Sequence, residues 1–257
     1  MPTRIDRYSL ATVPIEQFFN TTKLGEGTGF IWQYLGRFYL VTNWHVISCR
    51  RFPTGENLLK HGGRPNQLQV LFNVRIGDFG KQHHTIHIRD TNGNPSWLIH
   101  PSRNVDIAVL PLPYDGKDIV FSLNPINGQA DPDLFVGVGM DCYVLGYPFG
   151  SARPGFPVWK RGSIASEPDL ARLTTDYILV DTASRPGMSG APVIVRSWGF
   201  HLYDDGSSTT DEFARSKFIG VYSGRLVTRF REDAQIGMVW TASLIDEIII
   251  GGRLDTD

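Results

Sequence analysis

Three short motifs place a histidine, an aspartate and a serine where strand-like segments meet turns. In LVTNWHVIS an apolar run ends in a polar turn that carries His45, and in HPSRNVDIAVLPL a turn ends at Asp106 before an apolar run. In DTASRPGMSGAPVIV, Ser189 lies in a turn flanked by glycines. A serine hydroxyl becomes a nucleophile when a histidine takes its proton, and an aspartate can orient that histidine. The three residues are therefore candidates for nucleophilic catalysis.

The glycines beside Ser189 have a backbone role. A turn that directs two N–H groups at one point often needs a positive φ or a close approach that glycine permits. Gly187 and Gly190 occupy such positions. We therefore predict that the N–H groups of Gly187 and Ser189 hold a developing oxyanion.

The elements that must position these residues are predicted to be mostly strands. Twenty-seven glycines and 16 prolines separate short runs rich in Val, Ile, Phe, Tyr and Thr. Phe30, Trp32 and Tyr34 alternate on one face, and Leu35-Gly36-Arg37 predicts a hairpin turn. Many short strands at close spacing favour an antiparallel, all-β fold.

Three segments are predicted to depart from this pattern. The apolar spacing of TASLIDEIII predicts a C-terminal α-helix over 241–250, capped by Ser243 and followed by a glycine stop. The polar stretch HLYDDGSSTTDEFARSK (201–217) predicts a long mobile loop. The segment 83–97 predicts a hairpin around Asn92-Gly93.

Composition excludes several classes of protein. With 257 residues, 25 Lys+Arg and 26 Asp+Glu, the chain has a net charge of −1, which argues against a dedicated nucleic-acid binder. No apolar run is long enough for a membrane helix, and the first residues lack the apolar core of a secretory signal. Cys49 and Cys142 are too few for a disulfide scaffold or a Cys-rich zinc site. We expect a cytoplasmic location, reduced thiols, and neither nucleic acid nor a membrane as partner.

A metal site is not expected either. His83, His84 and His87 lie in a short polar segment without a cysteine or paired carboxylate to complete a tetrahedral set. We expect these histidines to be solvated, and no metal or cofactor to be needed.

The three motifs, in the order His, Asp, Ser, resemble those of the chymotrypsin-like (trypsin-like) serine proteases. GTGFI…YLVTNWHVI is similar to the segment that enters the family's histidine, NVDIAVLPL to that around its aspartate, and SRPGMSGAPV to that around its serine. The sequences of these motifs are most similar to those of bacterial HtrA-type and glutamyl-endopeptidase-like members. The segment CYVLGYPFG is similar to a strand of the same members. The resemblance extends over roughly residues 24–250, and the order differs from that of subtilisins and α/β-hydrolases.

This resemblance implies two six-stranded antiparallel β-barrels with a C-terminal α-helix and the active site between the barrels. The whole chain, 1–257, would be one peptidase domain, with about 1–125 in the first barrel and 126–257 in the second barrel and helix. It implies a serine endopeptidase that acts on a protein or peptide through an acyl-enzyme. Met188 stands where digestive members carry an Asp that pairs with a new N-terminal amine, so activation by N-terminal insertion is not expected.

The resemblance also implies a substrate pocket walled by residues on both sides of the cleft. These residues are Ala183, Ser184, Arg185, Tyr222, Ser223 and Arg225. Ala183 stands where trypsin-like specificity needs an Asp, so a preference for Lys or Arg lacks its usual anchor. Two alternatives remain open: Arg185 and Arg225 favour an acidic substrate residue, or Tyr222 narrows the pocket toward small apolar residues.

A different class of function is also open. The chain could be a latent or partner-activated protease-fold protein that acts mainly as a binding or regulatory module, with an activating partner protein. An intact set of candidate catalytic residues argues against a pure scaffold.

Overall fold

The computed structural model describes residues 5–74, 80–102, 104–114, 121–150, 155–183, 185–225 and 235–256. Strands dominate the described part of the chain. They are β1 (Thr12–Phe19), β2 (Thr22–Tyr34), β3 (Arg37–Thr42), β4 (Gln67–Asn73), β5 (Lys81–His87), β6 (Leu98–Ile99), β7 (Ala108–Pro111), β8 (Asp141–Gly146), β9 (Val158–Ile164), β10 (Tyr177–Asp181), β11 (Pro192–Leu202), β12 (Ser208–Arg225), β13 (Ile236–Thr241) and β14 (Arg253–Leu254). The α-helices are α1 (Arg7–Ala11), α2 (Trp44–Ser48), α3 (Pro168–Thr174) and α4 (Ser243–Gly251). The predicted all-β fold with a C-terminal helix is confirmed.

The strands form two bodies. The second is a closed six-stranded barrel in the order β10-β13-β12-β11-β8-β9, which we call the C-terminal barrel. The first is a sheet in the order β14-β6-β7-β3-β2-β1-β4-β5, which we call the N-terminal sheet. The N-terminal sheet has eight strands where six were expected, because β6 and the strand that follows α4, β14, are added at one edge. Arg253 pairs with Ile99 there, so the two-residue strands β6 and β14 extend the sheet beyond β7.

The first predicted hairpin is confirmed. Tyr34 pairs with Arg37, and the two residues between them, Leu35 and Gly36, have φ values of 46° and 78°. Positive φ at both central positions matches the right-handed twist of the flanking strands. The hairpin predicted around Asn92-Gly93 also forms, with Gly93 N donating to Asp90 O and a bridge between Arg89 and Pro95.

The prediction of a mobile loop over 201–217 is wrong. This stretch is the end of β11, a turn at Gly206 and the start of β12. Its polar residues are hydrogen-bonded along and across the two strands. His201 is fully buried, and its ring nitrogens lie 2.7 Å from Oγ of Ser197 on the same strand, β11, and 3.2 Å from Oδ1 of Asp211 on β12. Polarity here reflects a hydrogen-bonded ribbon rather than an unpaired loop.

Helix α4 packs at the junction between the N-terminal sheet and the C-terminal barrel. Leu244, Ile245 and Ile248 are fully buried in a cluster that contains side chains of both the N-terminal sheet and the C-terminal barrel. Burial of each such side chain contributes roughly 2 kcal/mol. The predicted cap at Ser243 is wrong, because the helix already includes Ser243 and its N-cap residue is Ala242. The predicted stop is confirmed, since the helix ends at Gly251.

Helices α1 to α3 have only five to seven residues, too few for an apolar period to reveal them. No helix in the described ranges is long and apolar enough to span a membrane. Cys49 and Cys142 are free and buried, as the prediction of reduced thiols requires. Burial raises the pKa of both thiols, that of Cys142 to about 12 with a contribution from the charge of Asp141.

Candidate active site

Strand β3 and helix α2 position His45. β3 ends at Thr42, the buried Asn43 is the N-cap of α2, and His45 is the second residue of this helix. Asn43 makes no side-chain cap hydrogen bond; its Nδ2 instead donates to Asp106 O at 2.7 Å. This bond ties the turn that carries His45 to the segment that carries Asp106.

Strand pairing brings Asp106 to His45. Thr42 at the end of β3 pairs with Ala108 at the start of β7, and Asp106 lies two residues before Ala108. Antiparallel neighbours place the end of one strand beside the start of the next. The prediction that Asp106 adjoins His45 therefore has a simple topological basis, although 61 residues separate the two.

The Asp106 carboxylate is 1% exposed and fully hydrogen-bonded. Oδ1 accepts the backbone N–H of His45 at 2.9 Å, and Oδ2 lies 2.7 Å from His45 Nδ1. Ser223 Oγ donates to Oδ2 as well. Three donors compensate the burial of a charge that would otherwise be costly.

This carboxylate fixes the state of the His45 ring. A carboxylate only accepts hydrogen bonds, so Nδ1 carries the proton and Nε2 of the neutral ring is an acceptor. The side chain of His45 is 21% exposed. Burial lowers the pKa of His45, but the charge of Asp106 and its hydrogen bond together raise it more, so the pKa lies above the ordinary value.

The turn that carries Ser189 is held by the N-terminal sheet. Thr28 on β2 donates its N–H to Ser189 O at 2.8 Å and its hydroxyl to Gly187 O at 2.7 Å. Gly187 and Gly190 have φ values of 89° and 84°, as the sequence led us to expect. β2 thereby fixes the serine of the second body relative to the histidine of the first.

Backbone donors in this turn fall into two groups. Met188 N donates to Arg185 O and Gly190 N donates to Tyr222 O. Within the described residues, no acceptor is present for the N–H groups of Gly187 and Ser189. These two groups are the ones predicted to hold an oxyanion, and that role stays a prediction.

Ser189 Oγ makes no hydrogen bond to His45 among the contacts of the described chain. Such bonds are often long or poorly aligned until substrate binds. The geometry thus supplies an oriented histidine and a positioned serine, without a closed serine–histidine bond.

Replacing Gly190 by alanine is expected to lower the melting temperature by about 10 °C, equivalent to roughly 3 kcal/mol for a domain of this size. A Cβ there would lie 2.0 Å from Thr28 O and 2.4 Å from Thr42 Oγ1, at a φ that side chains rarely adopt. Thermal unfolding followed by circular dichroism measures the effect.

Gly36→Ala is the matched control for that variant. Gly36 has a similar φ of 78°, but a Cβ there would meet nothing within 4 Å. It should lose only the roughly 1 kcal/mol that the left-handed conformation costs. Equal melting temperatures for the two variants would contradict the close contact between this turn and the N-terminal sheet.

A cleft of about 390 Å³ adjoins His45 and Asp106. Of the residues predicted to wall the substrate pocket, it contains Ser223 and Arg225. Tyr222 is buried in the core of the C-terminal barrel, Ala183 is half-buried and Arg185 is exposed. Ser184 lies outside the described residues. Pocket walls formed by these residues stay a prediction, as does the choice between an acidic and a small apolar substrate residue.

Sequence reasoning missed three positioning residues. Asn43 and Thr28 lie in the motifs LVTNWHVIS and GTGFI, so their presence in these motifs could have identified them as positioning residues. Ser223 was predicted only as a pocket residue, yet its hydroxyl is bonded to Asp106. In the described ranges, no group of three or more His, Cys, Asp or Glu side chains is arranged to hold a metal ion.

Comparison with known proteins supports the motif analysis. A model of the trypsin-like peptidase domain matches residues 27–200. Among solved structures, the serine endoprotease from Yersinia pestis has 17% sequence identity and a TM-score of 0.50, over 97% of this chain and 66% of that chain. The inactive form of the Rv3671c protease has 20% identity and a TM-score of 0.49, over 94% of this chain and 88% of that one. A search of curated proteins found no match.

Proposed function

We propose that this chain, which belongs to the trypsin-like peptidase domain family, is a serine endopeptidase acting on a protein or peptide substrate. The observation that carries the proposal is the buried Asp106 carboxylate that holds His45 with Nε2 free to accept a proton. The turn that bears Ser189 is fixed to the same sheet through Thr28.

In the acylation step, Ser189 Oγ attacks the carbonyl carbon of the scissile bond. The C–O bond forms as His45 Nε2 takes the hydroxyl proton, and Asp106 stabilises the resulting imidazolium. The carbonyl oxygen becomes an oxyanion that accepts hydrogen bonds from the N–H groups of Gly187 and Ser189. His45 then donates its proton to the amine nitrogen as the C–N bond breaks, which leaves an acyl-enzyme.

Deacylation repeats these roles with water as the nucleophile. His45 takes a proton from water as the new C–O bond forms, and the same two N–H groups hold the second oxyanion. The proton returns to Ser189 Oγ when the acyl bond breaks. The products are the free enzyme and a carboxylic acid, which loses its proton to water at neutral pH, so the step balances without a cofactor.

We also propose that activation does not depend on a new N-terminal amine. Met188 is 1% exposed in the core of the C-terminal barrel, and its thioether lies against Gly146. A buried thioether cannot form an ion pair with an amine. The site would then be assembled constitutively or by movement of the surrounding loops.

The pH dependence of kcat/KM follows from His45. Only the neutral ring can accept the Ser189 proton, so activity should rise with pH and reach half its plateau at the His45 pKa. Because Asp106 raises this pKa, we expect the midpoint above pH 6.5 and about a tenfold fall per pH unit below it. A midpoint at or below pH 6.5 in initial-rate measurements would argue against this charge pairing.

Cleavage of a randomised peptide library, analysed by mass spectrometry, tests the proposed activity. The wild-type protein should produce new peptide termini, and the Ser189→Ala protein should not. Equal cleavage by both proteins would point to another activity or a contaminant.

A latent, partner-activated protein is the second candidate. The observation that favours it is the absence of a hydrogen bond between Ser189 Oγ and His45 in the described structure. In that case the isolated chain would be folded but unreactive at Ser189 until a partner protein ordered the surrounding loops.

A further inference from the structure

We propose that the β11–β12 hairpin forms a dimer interface, in which its exposed apolar face packs against a second copy of this chain. The part of the hairpin involved, which we call the arm, consists of residues 196–202 of β11, the turn at Gly206 and residues 208–217 of β12. This inference goes beyond the proposed function, because it holds whether or not the chain hydrolyses peptides.

The arm extends beyond the closed barrel. On one side, β11 pairs with β8 only from Val193 to Val195. On the other side, the pairing of β12 with β13 begins at Gly220. Among the described strands, residues 196–217 therefore pair only with each other, as a two-stranded ribbon. Such a ribbon is marginally stable in water by itself and needs further packing.

Both ends of the arm are fixed by contacts within the chain. Near the turn, Leu134 forms a bridge with Tyr203. At the base, Arg196 forms an ion pair with Asp6, and its guanidinium lies 5.9 Å from the centroid of the Trp198 ring. These contacts hold the arm in one conformation. A partner would therefore bind a preorganised surface at a lower entropic cost.

The outer face of the arm is apolar. Phe200 and Leu202 flank the fully buried His201, and because successive side chains of a strand alternate, both point to the opposite, outer face. Trp198 is 65% exposed, Phe200 59%, and Phe213 on β12 75%. Several large apolar side chains exposed on one element are typical of an interaction surface.

The exposed apolar area is large enough for a stable dimer. Three aromatic side chains at these exposures present roughly 400 Å² of apolar surface. Interfaces of standard size bury about 800 Å² per partner, of which a little more than half is apolar. The aromatic residues of the arm therefore supply most of the apolar area that such a dimer needs.

Charge favours a second copy over a charged partner. Residues 196–217 include three Lys or Arg and four Asp or Glu, so the arm has no excess of positive charge for a lipid headgroup or a nucleic acid. Asp211 pairs with Arg215, and Lys217 pairs with Asp204. In a two-fold interface a surface meets itself. An excess of either charge would oppose that contact, and a nearly neutral apolar face permits it.

The arm lies far from the candidate active site. Thr210 pairs with Phe200, whereas Ser223, whose hydroxyl is bonded to Asp106, lies near the other end of β12. At ~3.3 Å per residue, about 40 Å of strand separates Thr210 from Ser223. A second copy bound to the arm therefore leaves the cleft beside His45 open.

Sedimentation equilibrium of the wild-type protein gives the first measurement. At a chain concentration of about 100 µM, we expect a mass about twice the 28.8 kDa of one chain. The expected Kd is about 10 µM or lower, because interfaces of standard size reach micromolar affinity or better. A monomer at this concentration would overturn the inference and leave a different protein as the occupant of the arm.

Phe200→Glu tests the arm itself. Phe200 is more than half exposed, so the variant should fold, which circular dichroism verifies, but each copy would bury a carboxylate in the interface. We expect the Kd to rise at least 100-fold, so that the variant is mostly monomeric at about 100 µM. Leu35→Glu, at an 87% exposed position outside the arm, is the matched control and should stay dimeric. A dimer that persists in Phe200→Glu, or that is lost in both variants, would overturn the inference.

Hydrogen exchange followed by mass spectrometry locates the interface. In the wild-type protein, peptides that cover the arm should exchange at least tenfold more slowly at about 100 µM than at about 1 µM, because the dimer protects their amides. In Phe200→Glu the exchange rates should not depend on concentration. Concentration-dependent protection of another surface, without protection of the arm, would overturn the inference.

Discussion

The His45→Ala variant is expected to hydrolyse peptides about 10⁶-fold more slowly in kcat than the wild-type protein. The imidazole accepts the Ser189 proton in the attack and returns it to the leaving amine, so its loss removes both proton transfers. Ser189 alone is a weak nucleophile at neutral pH. Steady-state rates on one fluorogenic peptide measure the change.

His83→Ala is the matched control for this variant. His83 is exposed on β5, an edge strand of the N-terminal sheet, and should be replaced without loss of activity. Circular dichroism would verify that both variants are folded. If the two proteins had similar kcat values, the assignment of His45 as the proton acceptor would be wrong.

Asp106→Asn is expected to lower kcat by about 10⁴-fold with little change in substrate binding. The carboxylate accepts His45 N–H at one oxygen and faces Nδ1 at the other. An amide has only one accepting atom. If its NH₂ faces Nδ1, the ring takes the tautomer with a proton on Nε2 and cannot accept the Ser189 proton.

Asp141→Asn provides a comparison for this variant. Asp141 pairs with Arg161 on the surface of the C-terminal barrel, and the amide should leave the rate within about twofold, because exposed ion pairs contribute little. Rates across the pH range show whether Asp106 acts only through the His45 pKa. The variant lacks the charge that raises this pKa, so if that were its only role, the variant would match the wild-type rate above pH 8 and exceed it at lower pH. That result would mean that Asp106 does not set the tautomer.

Local sequence was sufficient to predict the parts of the fold that depend on short-range geometry. The Leu35-Gly36 turn follows from residues that tolerate positive φ between alternating strands. The terminal helix follows from the apolar spacing of Leu244, Ile245 and Ile248. Its cap was not predictable in the same way, because the hydroxyl of Ser243 lies within the helix instead of before it.

The hairpin over 201–217 could not be predicted from composition. Its polar residues are satisfied by side chains on the same strand and on the paired strand: His201 contacts Ser197 on β11 and Asp211 on β12. A polar stretch without apolar alternation has the same composition whether it is a solvated loop or a ribbon of paired polar side chains. Only the strand pairing distinguishes the two.

The candidate site was likewise predictable where it depends on local motifs and not where it depends on long-range contacts. Motif order and flanking residues pointed to His45, Asp106 and Ser189. The pairing of β3 with β7 accounts for the contact between His45 and Asp106. Thr28 and Ser223 act through contacts that span 161 and 117 positions in the sequence, respectively. Phe52 and Trp240 both line the cleft beside His45, and they come into contact only when the two bodies pack.

The most direct test of the central claim is labelling of the isolated protein with a fluorophosphonate probe, followed by mass spectrometry to locate the adduct. The probe reacts with serine hydroxyls that a base activates and an oxyanion site supports. We predict one adduct, on Ser189, that is absent from the Ser189→Ala and His45→Ala proteins. A folded wild-type protein without an adduct at Ser189 would contradict an assembled catalytic site in the isolated chain.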